Sequence, residues 1–364
     1  MQRVTISVPA QTYDAVIENG LIQHTGELLR SMLGTQRKLF VVTVEPVRRK
    51  WGKKLMASLN GAGFAAQILE MENGERFKRM STVEGLAEKL VSLGAERSAV
   101  FLALGGGVVG DVTGFLASSY LRGVDVVQIP TTVLAQVDSS IGGKTGVNLR
   151  AGKNLMGSFH HPKVVVIDPG VLSTLSEREF RSGLFESLKA GVIGLPDLFD
   201  RLEKMSIKAL RKDAASLEWV IAQSVKLKAE VVSSDEKENG LRRVLNLGHT
   251  IGHALEAETS YKHFLHGEAV AWGMVAAANI AKAVNKLDES SARRISAAVF
   301  KSGSLPKVTV KSRNILGRLQ ADKKTREGVV HFVLPRSIGK VEVVNDVPSS
   351  VVLSAVDELR RLSS

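Results

Sequence analysis

Val100-Phe101-Leu102-Ala103-Leu104-Gly105-Gly106-Gly107-Val108-Val109-Gly110-Asp111 is the stretch on which the reading of this chain turns. Its apolar run, without polar alternation, describes a strand covered on both faces, as in a parallel sheet. Glycines follow where the strand ends, and Val108 to Ser119 then has helical periodicity. Such a turn lets backbone approach an anion, and the helix N-terminus offers unpaired N–H groups with positive dipole character. The spacing is not the usual dinucleotide fingerprint, and glycine turns also form for tight packing alone. A phosphate or nucleotide role is the expectation, with a structural turn as its alternative.

Working outward, Leu39 to Thr43, Asp125 to Ile129 and Val164 to Asp168 read as further strands. Between them, Ser81 to Gly94 reads as a helix, with Ser81 and Glu84 as a capping box and Gly94 as the stop. Strands alternating with helices at this spacing imply an α/β fold with a parallel sheet covered on both faces. After about Leu175 the pattern becomes mainly helical: Glu177 to Val192, Ala214 to Ser233, Gly248 to Ala257 and Gly267 to Val284. Only Val329 to Leu334 and Lys340 to Val344 look like β-structure there. Two domains are therefore expected, 1–175 and 176–364, with no low-complexity linker and a shared cleft.

The 364 residues exceed one ordinary core, and 44% hydrophobic with 24% charged residues describe a globular protein. No apolar run reaches the roughly 18 residues of a membrane span. Met1 to Pro9 lacks the layout of a signal peptide, so a cytoplasmic protein is expected. Zero Cys excludes disulfide and thiolate chemistry. The net charge of +12 suits either a nucleic acid or a pocket for an anionic substrate. Aromatics are only 5% and the basic residues are scattered, which favours the substrate pocket over nucleic acid.

A second glycine- and lysine-rich segment runs from Asp138-Ser-Ser-Ile-Gly-Gly-Lys144 to Gly152-Lys153-Asn154. Its lysines and small polar groups suit an anion, although a Gly-x-x-x-x-Gly-Lys-Ser/Thr loop is absent and a solvated surface loop is the alternative. Four of the eight histidines (His249, His253, His263, His266) lie between Asn246 and Glu268. Without cysteine, a transition-metal site must be built from imidazole and carboxylate. His249 and His253 are spaced to share a helix face and could grip one metal. Glu186, in Gly183-Leu-Phe-Glu186-Ser-Leu-Lys189, is a candidate carboxylate, although on local grounds a lone glutamate is an exposed charge.

Taken together, these motifs resemble the 3-dehydroquinate synthase family of sugar phosphate cyclases. The resemblance spans nearly the whole chain: Gly105 to Asp111, Pro130-Thr131-Thr132, Asp138 to Lys144, Gly152 to Asn154, Glu186 to Lys189, Arg242 to Glu256, and Leu265 to Glu268. It implies a Rossmann-like NAD-binding domain followed by a mainly α-helical metal-binding domain. Glu186, His249 and His266 are the implied ligands of Zn2+ or Co2+, which moves His253 from metal to substrate. Implied NAD contacts are Glu75, Lys78, Gly106, Gly107, Val108, Asp111, Thr131, Thr132, Lys144, Lys153 and Thr174. Implied substrate and catalytic residues are Asp138, Lys144, Asn154, Lys189, Lys228, Arg242, Asn246, His253 and a lysine of Asp322-Lys323-Lys324, with Lys323 preferred. Arg122 resembles an arginine that reaches a neighbouring subunit's site, which implies a homodimer.

The implied reaction converts 3-deoxy-D-arabino-heptulosonate 7-phosphate to 3-dehydroquinate and phosphate in the shikimate pathway. NAD oxidises the C5 hydroxyl, phosphate leaves, the hydride returns, and an intramolecular aldol closes the ring, so NAD is used but not consumed. Val44 and Pro46 depart from the Asp and Asn common in that segment of the family, leaving Glu75 to serve the ribose; Phe185 and Ser187 also depart beside Glu186. The alternatives are another sugar phosphate cyclase and a metal-dependent alcohol or glycerol dehydrogenase.

Overall fold

The computed structural model describes residues 1–238, 240–325 and 330–363, the side chains of 321–325 excepted. Two compact units are formed, one of Met1–Ser176 with Ala214–Ser233, the other of Glu177–Asp213 with the chain from Ser234 onward.

In the first unit the strands are β1 (Gln2–Val8), β2 (Gln11–Ile17), β3 (Leu39–Val44), β4 (Ala66–Met71), β5 (Val100–Gly105), β6 (Asp125–Pro130), β7 (Lys144–Leu149), β8 (Gly152–Phe159) and β9 (Val164–Ile167). Seven of them form one sheet in the order β1-β2-β9-β6-β5-β3-β4. Only β1 and β2 pair antiparallel; every other neighbour is parallel. Strands β3, β5 and β9 are buried at every residue, which is why their sequences are apolar runs, broken only by Thr43, whose hydroxyl donates to the Leu104 carbonyl. Strand β1 alternates instead, with Val4, Ile6 and Val8 inward. Strands β1, β2 and β4 go beyond those expected from the sequence; β4 carries the weaker signal, with only Leu69 and Met71 buried.

The helix Met80–Ser92 corrects one local expectation. Its N-cap is Arg79 and no side chain caps it, so Ser81 lies inside the first turn and forms no capping box. Its other end follows the rule: Gly94 takes the left-handed conformation at φ +66°. The segment from Lys144 to Asn154, for which a solvated surface loop is the alternative reading, belongs to the antiparallel hairpin β7–β8.

The helix Gly107–Ser119 begins at the glycine turn after β5. Two of its glycines answer to packing. A Cβ on Gly110 would lie 2.8 Å from the Gln128 Oε1, and one on Gly114 would lie 2.3 Å from the Thr145 Cγ2. Glycine at these positions lets the helix settle against β6 and β7, so part of the glycine signal is structural.

Among its described residues, the second unit is a helical body with one small sheet, β10 (Phe332–Ser337) paired antiparallel with β11 (Lys340–Val344). Its central helix, His266–Ala283, is buried along most of its length and packs on the helices Glu177–Gly194, His249–Glu258, Glu289–Lys301 and Ser349–Leu362. A helix apolar on nearly all sides belongs in a core.

The helix Ala214–Ser234 follows the second unit's first segment in sequence, yet residues 214–233 belong with the sheet unit. Glu218 accepts from Gln2 Nε2 at 3.1 Å, and Ser233 Oγ accepts the Ser7 N–H at 3.1 Å. These bonds engage the edge strand β1. The sequence places this helix in the helical half, because helical periodicity alone does not reveal which unit a helix covers.

Gly114→Ala should destabilise the protein by about 1–3 kcal/mol through overpacking against Thr145. Adding Thr145→Ser removes the clashing methyl and should recover most of that loss in urea denaturation. A fully stable Gly114→Ala protein would contradict this account.

Candidate active site

At the centre of the helical unit, Glu186 sits on the Glu177–Gly194 helix and is 3% exposed, not the surface charge that local reasoning favours. Its Oε2 pairs with Lys189 Nζ at 2.5 Å. Its Oε1 lies 3.8 Å from His249 Nε2 and 3.6 Å from His266 Nε2. Neither carboxylate oxygen accepts a hydrogen bond of ordinary geometry. His249 Nδ1 lies 3.2 Å from the Leu247 carbonyl, and His266 Nδ1 lies 3.1 Å from Glu256 Oε2. With these acceptors taking the Nδ1 hydrogens, the Nε2 atoms are the nitrogens turned toward Glu186 and left for a metal. A buried carboxylate without hydrogen bonds of ordinary geometry, facing two imidazole Nε2 atoms, fits the coordination of one divalent metal with positions left open.

Burial raises the Glu186 carboxyl, but Lys189 and then the two histidines outweigh it and hold it well below the usual carboxylate range. Burial, reinforced by the Lys189 ammonium, lowers the His249 imidazole well below its ordinary value. Burial also opposes protonation of His266, yet Glu186 and Glu256 overcome it and push this group up to about 10.

Glycines make this convergence possible. A Cβ on Gly267 would lie 1.8 Å from the Ser182 carbonyl oxygen, so only glycine lets the His266–Ala283 helix approach the helix that carries Glu186. Gly252 meets the Ala269 carbonyl in the same way, and Gly273 meets that of Gly248. Gly248 itself has φ +79° just before His249. Glu268 then fixes where the His266–Ala283 helix begins: it accepts the Leu265 N–H at 2.8 Å and is gripped by Arg178 at 2.7 and 2.8 Å.

His253 lies one turn after His249 and is exposed, with the rings 5.0 Å apart. Ligand atoms of His249, His253 and His266 all fall within 4.8 Å of one another, so geometry alone leaves His253 within reach of a metal. His263 stays apart, exposed and bonded to the Lys307 carbonyl at 2.9 Å. Buried Arg242 donates to the Glu236 carbonyl, and Asn246 donates to Glu238 Oε1 at 2.7 Å. Lys323 lies on the helix Ser312–Thr325, and its side chain is outside the described residues.

In the sheet unit a second polar cluster forms. Buried Lys78 donates to Asp111 Oδ2 and to Asn154 Oδ1, both at 2.5 Å. Burial raises the Asp111 carboxyl and Lys78 only partly reverses it, leaving it above its ordinary value. Asn148 joins the pieces: it donates to Glu75 Oε1 at 2.8 Å and accepts from the Asn154 N–H at 2.9 Å. Lys153 Nζ is 3.9 Å from Glu75. Gly106 caps the Gly107–Ser119 helix, with Gly107 and Val108 opening it. Thr131 is buried and its N–H donates to the Gly105 carbonyl at 2.9 Å; Thr132 Oγ1 accepts from the Ala135 N–H at 3.2 Å. Lys228 holds Asp138 through its carboxylate at 2.5 Å and its carbonyl at 2.7 Å. Lys144 is exposed at the start of β7. Thr174 is exposed and takes hydrogen bonds from Trp51 and Lys50. Arg122 is exposed, and it and Leu121 adopt left-handed conformations at φ 68° and 48°.

Sequence reasoning gave no role to Asn148, Glu256 or Arg178. Glu256 carries a readable signal, because it follows His249 by two helical turns and so shares its face. Asn148 and Arg178 have no local signature, since their partners are distant in sequence.

Residues 68–182 match the family described as 3-dehydroquinate synthase N-terminal, and residues 183–325 the one described as 3-dehydroquinate synthase C-terminal. The chain is 53% identical over 363 residues to the 3-dehydroquinate synthase of Koribacter versatilis (strain Ellin345), covering 100% of this chain and 99% of that one. Its fold is similar to 2-epi-5-epi-valiolone synthase from Streptomyces hygroscopicus subsp. jinggangensis 5008, solved with NAD+ and Zn2+ bound. That match has a TM-score of 0.89 and 31% identity, and covers 98% of this chain and 99% of the other. A 2-deoxy-scyllo-inosose synthase, solved with carbaglucose-6-phosphate, NAD+ and Co2+, matches with a TM-score of 0.85 at 25% identity, covering 98% and 99%. The fold is that of the sugar phosphate cyclases. Within that class, the chain belongs to the 3-dehydroquinate synthase family, whose members are phosphate-eliminating lyases.

Gly267→Ala should separate the two site helices and so lower both thermal stability and metal affinity. Gly317→Ala, at a position where a Cβ meets nothing within 4 Å, should change neither and serves as the control. Equal behaviour of the two variants in melting and metal-binding measurements would refute the close-approach argument.

Proposed function

We propose that this protein is a 3-dehydroquinate synthase, converting 3-deoxy-D-arabino-heptulosonate 7-phosphate to 3-dehydroquinate and phosphate with catalytic NAD and one Zn2+ or Co2+. The observation that carries this reading is the buried Glu186 carboxylate facing His249 and His266, 3.8 and 3.6 Å away. The NAD+ with Zn2+ or Co2+ present in the two cyclase structures supports the same cofactors.

When bound, NAD supplies reversible hydride removal at the C5 hydroxyl, and the metal supplies Lewis acidity at that oxygen. Glu186, His249 and His266 are the residues that would hold the metal. The Glu75, Lys78, Asp111 cluster, with Gly106, Gly107, Val108, Thr131, Thr132, Lys144, Lys153 and Thr174, is assigned to the nucleotide. Lys189 keeps Glu186 ionised and presents an ammonium to the substrate. Asp138, Lys144, Asn154, Lys228, Arg242, Asn246 and Lys323 are assigned to the substrate. A guanidinium fork matches carboxylate and phosphate geometry, which suits Arg242 to an acid phosphate. His253 exchanges a proton with the substrate at a ring nitrogen, sharing that work with the departing phosphate.

Arg122 and the homodimer belong to the same proposal. Leu121 beside it is 42% exposed, and the β7–β8 hairpin exposes Leu149, Leu155, Met156 and Phe159. Exposed apolar residues gathered on one element mark an interaction surface, here for a second copy of the chain. No helix among the described residues is long and apolar enough to cross a membrane. A cytoplasmic location is proposed from the cysteine-free sequence.

With substrate, catalytic NAD and Zn2+, the protein should release phosphate without net NADH; no phosphate release would overturn the assignment, and NADH accumulating on an alcohol would favour a dehydrogenase. Chelation should abolish turnover, and Zn2+ or Co2+ should restore it. Glu186→Gln and His266→Ala should lower bound metal and turnover together. His253→Ala should cut turnover by about 10²–10⁴-fold with metal retained; loss of metal would instead place His253 among the ligands. Light scattering should give twice the 39.2 kDa chain mass, and a monomer would remove the dimer and the role of Arg122.

A further inference from the structure

We infer that Glu256 is a positioning residue: its carboxylate sets the tautomer and ring orientation of His266, aiming Nε2 at the metal centre. The inference rests on the metal-centre reading above. Glu256 is 4% exposed on the His249–Glu258 helix, and its Oε2 lies 3.1 Å from His266 Nδ1. An ionised carboxylate only accepts hydrogen bonds, so Nδ1 carries a hydrogen and Nε2, 3.6 Å from Glu186 Oε1, is the nitrogen left for the metal.

The ring needs such a partner more than the backbone does. Glu268 and Arg178 already fix the backbone at the start of this helix, through the Leu265 N–H and the bidentate ion pair. The His266 side chain nevertheless remains 29% exposed, against 13% for His249, so packing confines its ring less. His249 is oriented by the neutral Leu247 carbonyl, whereas His266 has a carboxylate, which also makes its free nitrogen a better donor. The two histidines are thus held by different means, and only one depends on a charged group from another helix.

The test is competitive titration of the full-length protein with Zn2+ against a chromophoric chelator, together with the electronic spectrum of the Co2+-loaded protein. Glu256→Gln should weaken Zn2+ binding about 10- to 100-fold and shift the Co2+ bands, because oriented partners of ligating histidines have effects of that size. Glu256→Asp, which keeps the charge but withdraws it by one methylene, should fall between Gln and wild type, and it carries the test if the Gln variant does not fold. Wild-type Zn2+ affinity and an unshifted Co2+ spectrum in a folded variant, even one with a lowered Tm, would make Glu256 merely structural and overturn the inference. A wild-type protein that binds neither metal would strike the metal-centre reading itself, so the two failures are separable.

Discussion

The approach of the His266–Ala283 helix to the Glu177–Gly194 helix at Gly267, where a Cβ would fall 1.8 Å from the Ser182 carbonyl, governs the helical unit. Backbone meets backbone there, with no side chain between. One helix contributes Glu186 and the other His266, and their functional atoms come within 3.6 Å only because the axes are this close. Gly252 and Gly273 repeat the device, so that the helix bearing His249 joins the same junction. An alanine at any of these contacts would have to displace a main-chain carbonyl, which is far stiffer than a side chain.

The electrostatics of the site follow from that packing. Close-packed helices exclude water, and a carboxylate buried without hydrogen bonds is strongly disfavoured unless cations compensate. Lys189 supplies one ammonium beside Glu186, and a metal held by the two histidines would supply more charge. The sheet unit solves a similar problem differently. There Lys78 is buried between Asp111 and Asn154, and Asn148 ties that group to Glu75, so neutral amides carry much of the satisfaction. One centre is arranged around concentrated charge and the other around hydrogen bonds.

Much of this was legible locally. The run from Val100 to Leu104 is a buried parallel strand because covered strands have no polar face to show. The glycine turn, the helix after it and the helical character beyond Leu175 were equally direct. The hairpin from Lys144 to Phe159 was not, since glycine, lysine and asparagine in quick succession look like a loop and pair only through the register of two strands. The capping box at Ser81 failed because the N-cap falls at Arg79, two residues before the position its side-chain pattern suggests. Glu186 read as a surface charge because nothing in its neighbourhood announces that two other helices cover it.

By itself the sequence determined the residue types available for chemistry, the cysteine-free donor set, the sheet's covered strands and, through the order of its motifs, the family. Those properties are local or additive, so they survive without knowledge of which segments touch. Tertiary structure decided which unit the Ala214–Ser234 helix covers, that His263 stands apart while His253 joins the cluster, and that Glu256 backs His266. Each of these depends on contacts between segments distant in sequence or on the rotation of a ring, and helical periodicity specifies a face without specifying what that face will meet.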